Sequence, residues 1–512
     1  MSAVAREAVS EVPAPPLEAA TPAPAMLAVA AAPPVAPVGA YRRTYSPSLV
    51  SGAVAVLDAL CVLVAAIPAH WALAYAGALS PFQMSLERGA VVLGCGVLVL
   101  SLRAAGLHSF SAVVRPRRNS AAVVFVCLAV MALMGVAAWL VELQGGLSLQ
   151  WAIAWALTTS AALVAGRFAA AAAIRELARR GRVGRRIVVY GTGAQAERVL
   201  AQIQAANDPW NRVVAVFDDR VQRTPQTFRG LPMLGNLSAM ILWARQHDPD
   251  EILVALPWGA EHRVMAVLRS LAVLPANVRL VPEFSFMDSI AGTISSHYGM
   301  PMLDAYRRPM DGWGQLWKRG FDLVGASLLL VLLSPVLAFI ALLIKLESPG
   351  PVLFRQPRFG FNQRLIEVYK FRSMGVSFSD RLGERLTERG DPRVTRVGAV
   401  LRRTSLDELP QLVNVLKGQM SLVGPRPHAV RTTAGGRQCD EVLANYAVRH
   451  RVKPGITGWA QVNGWRGTME EEDHLHRRVE HDIYYMNNWS PLFDIRILVQ
   501  TLWVLFRRNG AY

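Results

Sequence analysis

Phe321 to Ile344 reads FDLVGASLLLVLLSPVLAFIALLI. An apolar run of this length is enough to cross a bilayer, which takes about 20 residues as a helix. Its centre, however, carries Ser334-Pro335. A proline inside a helix removes one backbone hydrogen bond and crowds the preceding turn, at a cost of about 3 kcal/mol. Basic residues lie on both sides, WKRG before the run and RQPRFGFNQR after it. A simple crossing would put the densely basic C-terminal third on the outer face, against the preference of Lys and Arg for the cytoplasmic side. A re-entrant helix that enters, breaks at Ser334-Pro335 and returns to the same face satisfies both facts. The Ser334 hydroxyl could then hydrogen-bond a carbonyl that Pro335 leaves free, which lipid alone would leave unpaired. An ordinary kinked spanning helix is the competing reading.

The chain before this run is also apolar, with 52% hydrophobic residues over 512 positions. Residues 1–44 are rich in Ala and Pro and read as a disordered tail rather than a signal peptide. Residues 45–178 hold four apolar stretches, beginning at Ser48, Gly89, Ser120 and Leu149, that suit transmembrane helices. Arg42 and Arg43 precede the first, Arg115, Arg117 and Arg118 separate the second from the third, and RELARRGRVGRR follows the fourth. This alternation places the N-terminus and everything after the fourth span on the cytoplasmic side of the membrane. The four cysteines, Cys61, Cys95, Cys127 and Cys439, form no CxxC pair, so no disulfide framework or zinc site is expected.

Residues 179–305 alternate β-runs with helical patterns. RRIVVY leads into Gly191-x-Gly193-x-x-Ala196 and a helix, and a second β-run ends at Asp218. This is the strand, glycine turn and helix order of a Rossmann-like unit, with an acid near the usual distance for a ribose contact. Gly191, Gly193, Ala196 and Asp218 are therefore a candidate nucleotide loop, with a tight turn of no chemical role as the alternative. The chain has no Tyr-x-x-x-Lys pair and no GxxxxGK[ST], which counts against a short-chain dehydrogenase and a P-loop ATPase.

Residues 306–512 are expected to form the catalytic part, mostly helical behind the re-entrant run. The segment RRTSLDELPQLVNVLKGQMSLVGPRP, from Arg402 to Pro427, sets Asp407 and Glu408 side by side in a chain of net charge +17. The plainest explanation is a helix start: Ser405 to Glu408 fits a capping box, with Leu409, Leu412, Val413 and Leu416 as the buried stripe behind it. Capping does not explain the cations around it. Lys370 and Arg372 (YKFRSM), Arg396 (DPRVTRVG), Arg403, Arg426 (GPRP) and Lys453 (RVKPGITG) sit in motifs punctuated by Gly and Pro. Arg forks match phosphate oxygens in pairs, and glycines let backbone N–H groups approach an anion. The pattern suggests a site that gathers phosphates, one from water and one from lipid. There a carboxylate can hold Mg²⁺ or attack phosphorus.

These motifs, from about Gln315 to Tyr512, resemble the bacterial sugar transferases that act on polyprenyl phosphate, the monotopic phosphoglycosyl transferases. KRGFDLVGASLLLVLLSP, SPGPVLFRQPRFG, YKFRSM, the Asp391–Pro427 stretch and VKPGITGWAQVNGWRG carry the likeness. With the four spans and the Rossmann-like unit ahead, the chain is similar to the large members. RPHAV and VNGWRG look more like the glucose-transferring branch. The resemblance implies transfer of a sugar 1-phosphate from a UDP-sugar to undecaprenyl phosphate with release of UMP, Mg²⁺ as cofactor, and a place at the start of exopolysaccharide or capsule repeat-unit assembly. It implies that Asp407 is the covalent nucleophile and Glu408 its partner, both near the metal, and that Lys370 and Arg426 contact phosphate. Membrane lipid is an expected partner and a homodimer is left open. A nucleotide-sugar oxidoreductase using the Gly191 loop and a non-catalytic scaffold for anionic lipid are the rivals. Nucleic acid is a poor partner, because the basic motifs lack interleaved aromatics and follow membrane spans.

Overall fold

The computed structural model describes residues 45–75, 81–140, 149–220, 226–283, 295–298, 300–375, 391–429, 432–434, 437–443, 445–465, 467 and 472–507. The N-terminal tail expected over 1–44 lies outside them. The first helices are α1 (Pro47–Tyr75), α2 (Pro81–Ala104), the short α3 (Phe110–Val113), α4 (Pro116–Leu140) and α5 (Leu149–Arg179). They share an apolar core that includes Val62, Ala69, Leu98, Leu102, Val123, Cys127, Trp155 and Leu163. Among the described residues, four helices are long and apolar enough to cross a membrane: the segments Pro47–Trp71, Pro116–Val136, Gln150–Arg179 and Trp313–Glu347. The second expected span forms α2, packed in the same bundle between α1 and α4.

One feature of this bundle is not visible in the hydropathy pattern. Asp58 on α1 meets Arg167 on α5 at 2.6 Å and His108 at 2.9 Å, all three buried. Arg167 also donates to the Leu107 carbonyl at 2.8 Å. Charges this deep persist only when paired, so the triad ties the α2–α3 connection to α1 and α5.

The middle unit is a sheet with helices on both faces. β1 (Arg185–Tyr190), α6 (Ala194–Ala206), β2 (Asn211–Phe217), a small hairpin of β3 (Thr227–Phe228) and β4 (Leu231–Pro232), α7 (Leu237–His247), β5 (Glu251–Val254), α8 (Glu261–Leu271), β6 (Asn277–Leu280), β7 (Ser295–His297) and β8 (Met300–Tyr306) follow in turn. The sheet order is β2-β1-β5-β6-β8-β7, parallel through β6 and antiparallel beyond. Successive β1 side chains point to opposite faces. Ile187 and Val189 therefore pack with Val199, Leu200 and Ile203 of α6, whereas Val188 and Tyr190 pack with Met240 and Trp243 of α7 and Leu271 of α8.

Next comes α9 (Trp313–Glu347), which runs through Pro335 without leaving helical geometry. The break expected at Ser334-Pro335 thus appears as one lost bond inside a continuous helix. The Ser334 hydroxyl donates to the Val331 carbonyl at 2.8 Å, the acceptor four residues before Pro335 that its missing N–H leaves free. Both halves of α9 pack on the same body. Phe321, Ala326 and Leu330 join the core of the C-terminal unit, and Leu337, Ile340, Ala341 and Ile344 lie under Phe371, Leu401 and Leu406 of that unit. The opposite face exposes Val324, Leu328, Val331, Leu332, Phe339 and Leu342.

The C-terminal unit continues with the hairpin β9 (Leu353–Phe359) and β10 (Leu365–Phe371), then α10 (Arg396–Thr404), α11 (Gln411–Leu416), β11 (Ser421–Val423), β12 (Thr433–Ala434), β13 (Arg437–Gln438), α12 (Cys439–Val442), β14 (Gly455–Thr457), α13 (Trp459–Val462), α14 (Glu472–Asn487) and α15 (Pro491–Arg507). α15 is two-sided. Asp494 and Ile497 are buried in the core, while Leu492, Ile495, Val499, Leu502 and Trp503 form an exposed apolar stripe.

Candidate active site

Asp407 and Glu408 lie on a single 3₁₀ turn, Leu406–Glu408, between α10 and α11. The expected capping box does not form. Ser405 has φ 60°, closes the C-terminus of α10 and makes no side-chain cap bond. The buried stripe is also narrower than expected, since Val413 faces outward while Leu412 and Val415 are buried. The reason lies in the tertiary environment: the carboxylates are drawn toward cations on neighbouring elements rather than toward the helix N-terminus. Both acids are nonetheless buried, with 8% and 7% of their surface exposed.

The two carboxylates differ in their partners. Glu408 Oε1 accepts from Lys370 Nζ at 3.0 Å, and Arg426 grips Glu408 with two bonds, Nη1 to Oε2 at 2.9 Å and Nη2 to Oε1 at 2.5 Å. Such forked, charged pairs are the strongest and most directional hydrogen bonds available to a carboxylate. Asp407 receives no hydrogen bond among the described residues, yet Lys370, Arg402 and Arg426 are close enough to act on it electrostatically. Burial raises its pKa; Lys370, Arg402 and Arg426 oppose that rise and the Glu408 charge adds to it. Burial in turn pushes the Lys370 ammonium down, against the pull of Glu408.

Local structure explains how these groups meet. Lys370 sits near the end of β10. Asn414 of α11 clamps that strand, accepting from Tyr369 N–H at 3.0 Å and donating to the Glu367 carbonyl at 2.6 Å. Arg426 follows β11, which pairs with β14. There a Cβ on Gly455 would lie 2.1 Å from the Gly424 nitrogen, and one on Gly458 would lie 2.2 Å from the Gly424 oxygen. These glycines therefore serve close packing of backbone on backbone, not the anion approach that the sequence suggested.

The other expected phosphate ligands are distributed differently. Arg372 is buried and committed to α9: its guanidinium donates to Pro349 O at 2.8 Å, Ser348 O at 2.7 Å and Ser348 Oγ at 2.9 Å. This geometry makes it a cap for the end of α9. Arg396 and Arg403 are exposed on α10, and Lys453 is half-buried before β14. Lys318 and Arg319, also basic in sequence, are structural here. Lys318 Nζ reaches Asp494 Oδ2 at 2.6 Å, and Arg319 donates to the Val415 and Leu416 carbonyls at the end of α11.

Further cations lie behind the dyad; Arg358 stands in the basic run RQPRFGFNQR, whereas nothing in the sequence singled out Arg449 or Arg478. Arg358, in β9, donates to the Pro427 carbonyl and to Gln356 Oε1. Burial, reinforced by Arg426, brings its pKa down to about 10. Arg449 donates to the Arg426 carbonyl at 2.8 Å and pairs with Asp482 at 2.7 Å. His428 is buried with its ring against Arg449, Arg478 and, at 2.7 Å, the Tyr446 hydroxyl. Burial and these two arginines keep it neutral, its pKa well below the ordinary range. The only signal in the sequence was composition: Arg449 and Arg478 stand in basic runs, but nothing local marks them as facing inward.

The candidate nucleotide loop is closed upon itself. Gly191 has φ 111°, and a Cβ there would lie 2.4 Å from the Ala255 oxygen, which accounts for glycine. Asp218, fully buried, accepts from Thr192 N–H at 2.9 Å and Thr192 Oγ1 at 2.7 Å, and Arg220 folds over it. Burial alone would raise its pKa; Arg220 and Thr192 hold it down at about 2. The carboxylate that a ribose contact would need is thus engaged by the loop. Gly193 caps α6 and Ala196 is buried beneath it.

Among the described residues, no group of three or more His, Cys, Asp or Glu side chains is placed to hold a metal ion. Mg²⁺ commonly takes one or two carboxylates and completes its shell with water and substrate phosphates. With Glu408 spent on Lys370 and Arg426, Asp407 supplies the one unbonded carboxylate, and the donor set fits the ion only together with phosphate oxygens.

A helical unit with a cation-ringed acidic turn, attached to a long apolar helix, marks a membrane-associated enzyme. The family model for bacterial sugar transferases matches residues 313–508, and that for a CoA-binding domain matches residues 103–282. An undecaprenyl-phosphate glucose phosphotransferase from Komagataeibacter xylinus is 43% identical over 332 residues, 64% of this chain and 60% of that protein. A UDP-glucose:undecaprenyl-phosphate glucose-1-phosphate transferase from Escherichia coli is 39% identical over 362 residues, 70% of this chain and 76% of that protein. Its counterpart from Xanthomonas campestris is 34% identical over 75% of this chain and 79% of the relative. The chain belongs to the bacterial sugar transferase family.

Proposed function

We propose that this protein transfers glucose 1-phosphate from UDP-glucose to undecaprenyl phosphate, releasing UMP, as the first membrane step in building an exopolysaccharide repeat unit. The observation that carries the reading is the division of labour in the dyad: Glu408 is locked by Lys370 and Arg426, and Asp407 is left unbonded among cations. The relatives' names supply the substrates.

In the first step an Asp407 oxygen attacks the sugar-bearing phosphorus of the donor. The bond from that phosphorus to the bridging oxygen breaks, and UMP leaves with the electron pair. In the second step an oxygen of the lipid phosphate attacks the aspartyl phosphate, forming the lipid diphosphate sugar and returning Asp407 as a carboxylate. Two unit charges about 4 Å apart repel by roughly 4 kcal/mol at an effective dielectric of 20, so the cations matter most where phosphates crowd. Lys370 and Arg426 are placed to offset charge on the transferring group. A bound Mg²⁺ would add positive charge at the diphosphate, held by Asp407 and phosphate oxygens.

The catalytic unit sits at the cytoplasmic face of the inner membrane, and α9 is re-entrant by bending at Pro335, where the lost hydrogen bond loosens an otherwise continuous helix. Support comes from both halves of α9 packing on one body while their other face is apolar and exposed. A helix carrying one body at both ends has no water-facing unit left to deliver to the far side. A protease site placed at the C-terminus should accordingly be cut in inside-out vesicles and spared in intact spheroplasts; cleavage in spheroplasts would overturn this topology.

Membranes holding the protein, supplied with undecaprenyl phosphate and a panel of UDP-sugars, should release UMP fastest with UDP-glucose. No UMP from any donor would refute the activity, and preference for UDP-galactose would reassign the sugar.

A further inference from the structure

The middle unit holds the C-terminal unit at a specific place, the tip of the β9–β10 hairpin. Asn362 and Gln363 at that tip have φ 55° and 56°, in the left-handed region. Asn362 is buried, and its amide donates to Asp248 Oδ1 at 2.6 Å and to the Arg245 carbonyl at 3.3 Å. Arg364 donates to the Arg245 carbonyl at 2.8 Å, the Gln246 carbonyl at 3.2 Å and Asp248 Oδ2 at 2.7 Å. The last carbonyls of a helix lack partners within it, and here a separate unit supplies them. A second tie lies nearby: Arg451 donates to the Arg307 carbonyl at 2.6 Å and covers the Tyr306 ring at the end of β8.

The other end of the same hairpin carries the site. Lys370 pairs across to Phe354 where Leu365, next to the tip, pairs to Phe359. The tip and Lys370 are about 20 Å apart at roughly 3.3 Å per strand residue. Arg358 lies on β9 within this ladder, and Arg451 closes the stretch that holds Arg449. The two ties therefore act on the two elements that deliver Lys370 and Arg449.

We infer that the middle unit is a brace for catalysis: α7 fixes the hairpin through Asn362 and Arg364, and these are positioning residues for Lys370 although they touch no reacting atom. This rests on the transferase reading above. It gives the sheet unit a mechanical role that needs no nucleotide in the Gly191 loop. A paired β-ladder transmits a tilt of its tip along its length, and a misplacement of about 1 Å can cost about 100-fold in rate.

The test uses the full chain in membranes. Asp248→Gly removes the acceptor shared by Asn362 and Arg364 yet suits the left-handed backbone at that helix end, and it leaves the C-terminal unit's sequence untouched. Arg364→Ala removes the fork from the other side. Each should lower kcat about tenfold or more with little change in KM for the donor. Arg364→Lys should recover only part of the loss, since an ammonium cannot fork across three acceptors. If Arg364→Ala does not fold, Asp248→Gly alone decides. Variants with wild-type kcat per folded enzyme would overturn the brace. Wild-type enzyme without UMP release would instead remove the transferase reading itself.

Discussion

Asp407→Asn abolishes transfer, with kcat falling by roughly 10⁴-fold or more, the scale seen when a covalent nucleophile is removed. The substitution keeps volume and removes the attacking carboxylate. It should cost little in stability, because burial already raises the pKa of Asp407 and makes the charged form the less favoured one. Thermal unfolding should shift by the equivalent of about 1 kcal/mol or less. Incubating wild-type protein with UDP-glucose alone should leave a glucosyl phosphate adduct on the peptide holding Asp407, detectable by mass spectrometry and discharged by undecaprenyl phosphate. Adduct formation in the Asp407→Asn protein, or turnover within tenfold of wild type, would assign the chemistry to another residue.

Lys370→Met comes second, with an expected loss of about 10²–10³ in kcat, as when one charge-stabilising donor is removed from a pre-organised site. Its pH signature is more telling than its size. Attack needs Asp407 ionised, and because burial raises its pKa the acidic limb lies above the ordinary carboxylate value of about 3.9. Lys370 opposes that rise, so its loss moves the limb further up. On the alkaline side burial pushes Lys370 itself down, so that limb falls below the ordinary lysine range, and Lys370→Arg should lift it. Stability runs the other way for Asp407: its contribution is full below the unfolded-state pKa and fades as pH rises through the raised folded value. An acidic limb unchanged in Lys370→Met would show that this lysine does not govern Asp407.

The motif string around Asp407 and Glu408 pointed to the acidic pair, and the fold brings Lys370 and Arg426, which the resemblance assigned to phosphate, onto Glu408. The helical pattern around Ser405 misled, because a capping box is a local preference and the carboxylates found stronger partners across space. Arg372 looked like a phosphate ligand, and Lys318 like one more cation of a basic run, because charge is visible in sequence while direction is not. The first caps α9 and the second is buried against Asp494. The Asp58–Arg167–His108 triad left no trace in hydropathy, which averages a few charges away.

The sequence by itself determined what is set by local pattern and composition: the long apolar helices, the strand–turn–helix rhythm of the middle unit, and the acidic pair within basic motifs. It also determined Ser334, whose hydroxyl answers the carbonyl freed by Pro335 within one helical turn. Only the tertiary structure decided which carboxylate is hydrogen-bonded to Lys370 and Arg426 and which is left without such a bond. Only there do Arg358, Arg449 and His428 close behind Arg426, and only there does α7 take hold of the hairpin tip. The reason is distance along the chain. A helix or turn is governed by neighbours a few residues away, whereas a buried charge is governed by whatever the folded chain brings within a few ångströms, from more than a hundred residues off in the case of Asn362 and Asp248.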